Sequence, residues 1–487
     1  MNHRLITLPL LLLVLLLITP AVNASPAEKK DDWEAYKTPE EAGFSSEKIQ
    51  IARDYWETLR PDAGATIVVY KGKILVAWGE ISYKYMCHSV RKSFLSALYG
   101  IHVDEGNIDL EKTMAELGID DDPPLTEQEK QAKVIQLLMA RSGVYHTAAA
   151  EAPEMQANRP ARGSHAPGTF WYYNNWDFNT LGTIFRQETG KDIYQEFEDR
   201  IAGPIGMQDY KPSDSDYSYE LHYSIHPAYP FRMTARDRAR FGQLFLQQGR
   251  WGDQQIVPAK WVRKSTSALS DASEGNPDFV GLGYGYMWWT IDRSLLSRLP
   301  VSTENHMAEL SVFMANGYRG HMITVVPDAE IVFVMCVNTD LGVFNVEVTA
   351  IESFEIFNLI LDAKQFEIVD LAAEKVWTPR KTAAPGDPLK LSARIRNLSK
   401  AKSEKTTVGF YLSKNKKLDS TDILLGEASL PKLLGGKKKT VRLKTNLPDN
   451  ITAGNYYLLA YADRENENGD PHTGNNLVVS GKKIGVR

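Results

Sequence analysis

YMCHSVRKSFLSALYG, residues 85–100, places Ser89 and Lys92 three residues apart, where a polar stretch turns apolar. Val90, Phe94, Leu95, Leu98 and Ile101 then recur near the 3.6-residue period of a buried helix, so a helix is predicted to begin at Ser89. Residues i and i+3 of a helix share a face, which lets an amine approach a hydroxyl. A serine hydroxyl is a weak nucleophile until a neighbour takes its proton, and free N–H groups at a helix start stabilise developing negative charge. Ser-x-x-Lys alone is a common pattern, and most copies are solvated helix starts capped by the serine. Its meaning depends on what surrounds it.

Working outward, ATIVVYKGKILVAWG (65–79) reads as a hairpin turning at Lys71-Gly72. A long middle region of helices and Gly/Pro/Asn-rich loops follows. Strand signal returns in ELSVFMANGYRGHMITVVPDAEIVFVMCVN (309–338), read as two β-rich runs about Pro327-Asp328. ESFEIFNLILDA (352–363) reads as a closing amphipathic helix. Strands first, helices in the middle, then strands and a helix predict an α+β domain in which distant segments share one antiparallel sheet flanked by helices. From about Gln365 the character changes to short alternating strands such as LKLSARIRN (389–397) and NYYLLAYAD (455–463), which predicts an all-β immunoglobulin-like sandwich. The expected organisation is a signal peptide over 1–24, a linker over 25–40, an α+β domain over 41–364 and a sandwich over 365–487.

The signal peptide is read from Arg4, the apolar run Leu5 to Ile18, and the small residues of Val22-Asn23-Ala24 before Ser25. A retained membrane anchor is the competing reading, for which the run is short. Secretion or a periplasmic location is therefore expected, with no transmembrane segment after cleavage. The 487 residues are 43% hydrophobic and 24% charged, as globular proteins are, and a net charge of −5 gives no footprint for nucleic acid. The two cysteines, Cys87 and Cys336, permit a disulfide in an exported chain. A pair of buried free thiols is the blander reading. Neither has zinc-type spacing to other ligands, and no metal or organic cofactor is expected.

A second cluster lies in PGTFWYYNNWDFNTLGTIF (167–185). Tyr173 and Asn175 can face one cleft, and a lysine ammonium nearby would lower the tyrosine's pKa and fit it for proton transfer. Asn175 can donate to a substrate carbonyl and hold the lysine. The bland alternative, an aromatic loop packing on the core, suits Trp171 and Phe178 better than Tyr173.

With Ser89-Val90-Arg91-Lys92 and Tyr173-Asn174-Asn175 in order, the chain resembles the serine β-lactamase and penicillin-recognising hydrolase family. The likeness is to its class C-like members, which include D-aminopeptidases, carboxylesterases and 6-aminohexanoate-dimer hydrolases. It runs from about Glu41 to Ala363 and takes in LLMARSGV (137–144), PIGMQDY (204–210), MTARDRARFGQLFLQQGRWGDQQIVP (233–258) and GYGYMWW (283–289). The resemblance implies Ser89 as acylating nucleophile, Lys92 as the group sharing its proton, Tyr173 as proton carrier to the leaving group, and Asn175 as a substrate-orienting residue. It treats Lys92 and Tyr173 as one coupled unit.

The third family motif departs here: Ala315-Asn316-Gly317 stands where many relatives have Lys-Thr-Gly or His-x-Gly. Asn316, Gly317 and Tyr318 are the expected substrate-binding residues of that strand, with an amide near Gly317 or Tyr318 joining that of Ser89 in an oxyanion hole. Neither Arg319 nor His321 stands in register to replace the missing cation, and the dimer-hydrolase-like and esterase-like branches show a similar departure. The resemblance thus implies cleavage of a small-molecule or peptide-like ester or amide through an acyl-serine. A penicillin-binding D-Ala peptidase or β-lactamase is the alternative within the class, and a catalytically inactive surface adhesion or binding protein the alternative outside it.

Other features keep a bland reading beside the functional one. His88 can be cleft-edge packing, since no aspartate is fixed for a Ser-His-Asp triad. His146 and His165 sit in a polar loop that could touch substrate. Trp288 and Trp289 can wall a pocket or pack in the core. The C-terminal stretch resembles CARDB-type modules of exported bacterial proteins in VWTPRKTAAPGDPLKLSARIRN (376–397) and LPDNITAGNYYLLAYADRENENGDPHTGNN (447–476). Its acidic turn Asp463–Asn476 could hold calcium, though a solvated loop is the default reading. Lys437–Lys439 reads as an exposed turn. Cell-wall or surface contact is the partner that fold analogy alone suggests.

Overall fold

The computed structural model describes residues 33–59, 63–291, 311–341, 347–364, 369–399, 401–468, 470 and 472–487. The signal-peptide reading lies outside the described residues. Among those described, no helix is long and apolar enough to cross a membrane. Two compact units form. The first takes in the N-terminal stretch as far as Thr38 and then Ile49–Leu361; the second joins Pro39–Lys48 to Asp362–Arg487.

The first unit is built on an eight-stranded antiparallel sheet. Its order is Lys73–Gly79, Ala63–Tyr70, Ile331–Val337, His321–Val326, Val312–Gly317, Trp289–Ile291, Leu282–Tyr284 and Ser270–Asp271. The N-terminal hairpin thus pairs with the strand Ile331–Val337, more than 250 residues later in the chain, in the α+β arrangement the sequence predicts. Lys71 and Gly72 both take positive φ, 48° and 77°, the backbone a tight two-residue hairpin needs. The described part of the first run, 311–326, is two strands rather than one, broken by a turn over Tyr318–Gly320 in which Arg319 takes φ 61°. The turn follows directly on Asn316-Gly317 and ends on Gly320, a signal that the β-rich pattern on both sides masked. The predicted linker also differs at its described end. Trp33 Nε1 donates to the Gly72 carbonyl at 2.9 Å and Ala35 bridges Ile74, so this stretch lies along the hairpin edge.

Helix Arg91–Asp104 is buried from Arg91 to His102, as its apolar period predicts. The Phe94 ring sets its roll, meeting Phe197, Phe231 and Phe241 at 4.8–5.4 Å between centroids. Such pairs add about 1 kcal/mol each beyond burial. Helix Ala235–Leu246 covers the sheet so closely that a Cβ on Gly242 would stand 2.4 Å from Val332 Cγ1. Cys87 and Cys336 are both buried and free.

The second unit is an all-β sandwich. One sheet runs Leu371–Trp377, Pro388–Asn397, Lys438–Asn446. The other runs Thr382–Ala383, Ile484–Val486, Gly454–Ala462, Thr406–Ser413, Ile423–Leu430, with Leu477–Val479 on Gly454–Ala462. Alternate residues of Pro388–Asn397, including Leu389, Leu391, Ala393 and Ile395, turn inward as period-2 patterning requires. Pro39–Lys48 belongs here because Phe44 bridges Lys364 and the Ser45 N–H donates to the Ala363 carbonyl at 2.7 Å. Of the turn read as a calcium candidate, Asp470 and His472 come with Asp370 within 4.8 Å. The N–H groups of Leu371 and His472 and the Asn475 amide already donate to these carboxylates.

Candidate active site

The chain enters the site through a strained corner. His88, not a glycine, takes φ 47°, and His88–Val90 form one 3-10 turn leading into helix Arg91–Asp104. Such a conformation costs about 1–2 kcal/mol in a non-glycine residue, so the surroundings must hold it. They do. Cys87 N–H donates to the Phe231 carbonyl at 2.8 Å, and buried Arg238 donates to the carbonyls of Tyr85 and Met86. The His88 ring lies 3.0 Å from Thr339 Oγ1. Burial, chiefly, pushes the His88 ring down to about pKa 4, so it is neutral and faces a hydroxyl rather than a carboxylate. A Ser-His-Asp triad is therefore not formed at Ser89.

Lys92 joins the two motifs. Its Nζ stands 2.7 Å from Ser89 Oγ and 2.7 Å from the Tyr173 hydroxyl. The side chain is 1% exposed and lies against the ring faces of Tyr173 and Phe178 at 4.3 and 4.6 Å. Burial pushes its amine well below the ordinary lysine value, with a further push from Arg91. Burial also raises the Tyr173 phenol to about 12, against the lowering the sequence suggests. The lowering presumed a solvated ammonium. In this apolar enclosure both groups favour their neutral forms, an amine beside a phenol.

Tyr173 reaches the site because Asn174 caps the next helix, accepting from Trp176 N–H at 3.1 Å, while its amide donates to the Val144 carbonyl. Asn175 opens that helix. Its Nδ2 donates to the Ala150 carbonyl at 2.6 Å and not to Lys92, correcting the expectation that it holds the lysine. Its Oδ1 is buried without a partner.

Ser89, Tyr173, Asn175, Asn316, Gly317 and Tyr318 line one cleft of about 870 Å³, with Lys92 just beneath. Gly317 is where the strand Val312–Gly317 meets the nucleophile turn: a Cβ there would stand 2.9 Å from the Cys87 carbonyl oxygen and 3.1 Å from Val90 Cγ2. Gly317→Ala is expected to push the strand off the turn and reduce ester turnover about 100-fold, with modest loss of thermal stability. Kinetics beside a melting curve check this, and unchanged turnover would refute it.

The other candidates divide. Trp289 lines the cleft, while Trp288 is core, 4.5 Å from the Phe245 ring. His146 is buried near Trp176, and His165 stacks on Phe170 at 4.0 Å, neither in the cleft wall. His321 is fully buried, accepting from Arg238 Nη1, and Arg319 lies over the Tyr318 ring rather than in the cleft. Sequence reasoning passed over Arg91, Phe279 and Glu347, which also line it. For Arg91 a signal existed: an arginine in a buried helix with no acid at 87, 88, 94 or 95.

An antiparallel sheet flanked by helices, with a serine, lysine and tyrosine in contact at one cleft, defines the class of penicillin-recognising hydrolase folds. Residues 50–355 match the Beta-lactamase family model, and the chain belongs to that family of hydrolytic enzymes. Residues 368–480 match CARDB. Similar solved structures include a 6-aminohexanoate-dimer hydrolase homologue from Bacillus anthracis (22% identity, 64% of this chain and 80% of that one, TM-score 0.46). They also include the D-alanine carboxypeptidase AmpC from Burkholderia cenocepacia (16%, 65% and 98%, 0.46) and a β-lactamase from Mycobacterium bovis (18%, 64% and 97%, 0.42). No curated protein matches the chain.

Proposed function

We propose that this chain is an exported serine hydrolase that cleaves an ester or amide through an acyl-enzyme on Ser89. The observation carrying it is Lys92 Nζ at 2.7 Å from both Ser89 Oγ and the Tyr173 hydroxyl, in an enclosure that disfavours its charge. As Ser89 Oγ attacks the carbonyl carbon, the Lys92 amine takes the hydroxyl proton. The oxyanion faces the amide of Ser89 and that of Gly317 or Tyr318. Tyr173 passes its proton to the leaving alcohol or amine and regains one from Lys92. Water then adds to the acyl carbon, giving its proton back through the same pair, and Ser89 leaves with the acid released. Asn175, in the cleft wall, is the residue that orients substrate in this reading.

Support for the ester or amide reading over a penicillin or D-Ala-D-Ala substrate comes from the strand Val312–Gly317. Ala315 stands at the motif position where a cation would hold the substrate carboxylate, and neither Arg319 nor His321 enters the cleft wall. Support for export is the N-terminal apolar run. The test is labelling of the mature protein with a fluorophosphonate, then peptide mapping. An adduct on Ser89 is expected, with short acyl esters turned over and fluorescent penicillin not retained. A folded protein that takes no label at Ser89 would overturn the reading, and retained penicillin would move it to the peptidase or β-lactamase alternative.

A further inference from the structure

Beside the cluster sits a second buried cation. Arg91 is 4% exposed, yet no carboxylate pairs with it among the described residues. Its Nη2 donates to Asn179 Oδ1 at 3.1 Å, its Cζ lies 4.3 Å over the Tyr229 ring, and its Nη1 has no partner. Guanidinium stays charged where an amine gives up its proton, and an unpaired buried charge is costly enough to need a reason.

We infer that Arg91 is a positioning residue for the Ser89–Lys92–Tyr173 cluster: a fixed, carboxylate-free charge on the same helical turn that decides which member carries the proton. This rests on the proposed acyl-serine chemistry. A guanidinium held by an amide oxygen and a ring face keeps its whole field, whereas a carboxylate beside it would cancel that field. The field disfavours an ammonium on Lys92, leaving the amine free to accept from Ser89. The other titratable groups around the cluster do not replace it. His88 is neutral, and the buried phenols of Tyr229 and Tyr284 stay protonated. Burial likewise pushes the Asp177 carboxyl up, where Ser142 and Asn174 hold it. Arg238, behind His321, is a second fixed cation of the same sign.

The test is the pH dependence of acylation, kcat/KM for p-nitrophenyl acetate, whose acid limb reports the proton that must leave Lys92. In Arg91→Gln the limb is expected to move to higher pH, so that the rate on the limb falls about tenfold relative to that variant's own alkaline plateau. Arg91→Lys is expected to keep the wild-type limb even if its plateau falls. Asn179→Asp, which gives the guanidinium a carboxylate and leaves Arg91 in place, is expected to move the limb the same way as Arg91→Gln. A merely structural role would lower the rate equally at every pH, and that result overturns the assignment. So does a wild-type limb at the ordinary lysine value, which needs no variant to fold. A wild type that reacts at no pH overturns the hydrolase reading itself; a reactive one with unmoved limbs overturns only the role of Arg91.

Discussion

Replacing Ser89 with alanine is expected to abolish fluorophosphonate labelling and lower ester turnover by about 10⁴-fold or more, with the melting temperature nearly unchanged. The size follows from chemistry: without the hydroxyl no acyl-enzyme forms, and only whatever hydrolysis the cleft promotes by binding remains. The small structural effect follows from the contacts. Ser89 Oγ is half-buried and its side-chain contacts are confined to Lys92 and Tyr173 of the cluster, so its loss costs about 1 kcal/mol. Turnover surviving in Ser89→Ala would place the nucleophile elsewhere, and an unfolded variant would show that the strained turn at His88 depends on the hydroxyl.

Lys92→Met is expected to lose about 10³-fold in acylation rate while the protein becomes more stable by about 1–2 kcal/mol. The amine is buried with no carboxylate, so the native state holds it at a cost that methionine does not carry. The ring faces of Tyr173 and Phe178, 4.3 and 4.6 Å from Nζ, suit a thioether. The sign with pH is also fixed. The native amine titrates below its unfolded value, so between the two values the unfolded chain binds more protons and stability rises with pH. The gain from Lys92→Met is therefore largest at acid and neutral pH, and it fades as pH nears the ordinary lysine value. Rate and melting curves at two pH values check both halves. A variant that loses activity and stability together would mean that Lys92 is structural.

The period of Val90, Phe94, Leu95, Leu98 and Ile101 by itself determined the buried helix behind Ser89, because burial of one apolar stripe is a local property of side-chain order. Alternation by twos likewise marked the sandwich strands, and the two β-rich ends marked the shared sheet. The sequence also brought Ser89, Lys92, Tyr173, Asn175, Asn316, Gly317 and Tyr318 forward as candidates, by motif and likeness. Only the tertiary structure decided the rest. The 2.7 Å contacts of Lys92 join segments 81 residues apart, and the closeness of Gly317 to the Cys87 carbonyl depends on strand packing that no local pattern encodes. The protonation of the cluster depends on it most. A lysine beside a tyrosine reads as a charged pair on paper, and becomes a neutral one when the fold removes water and sets an unpaired guanidinium alongside.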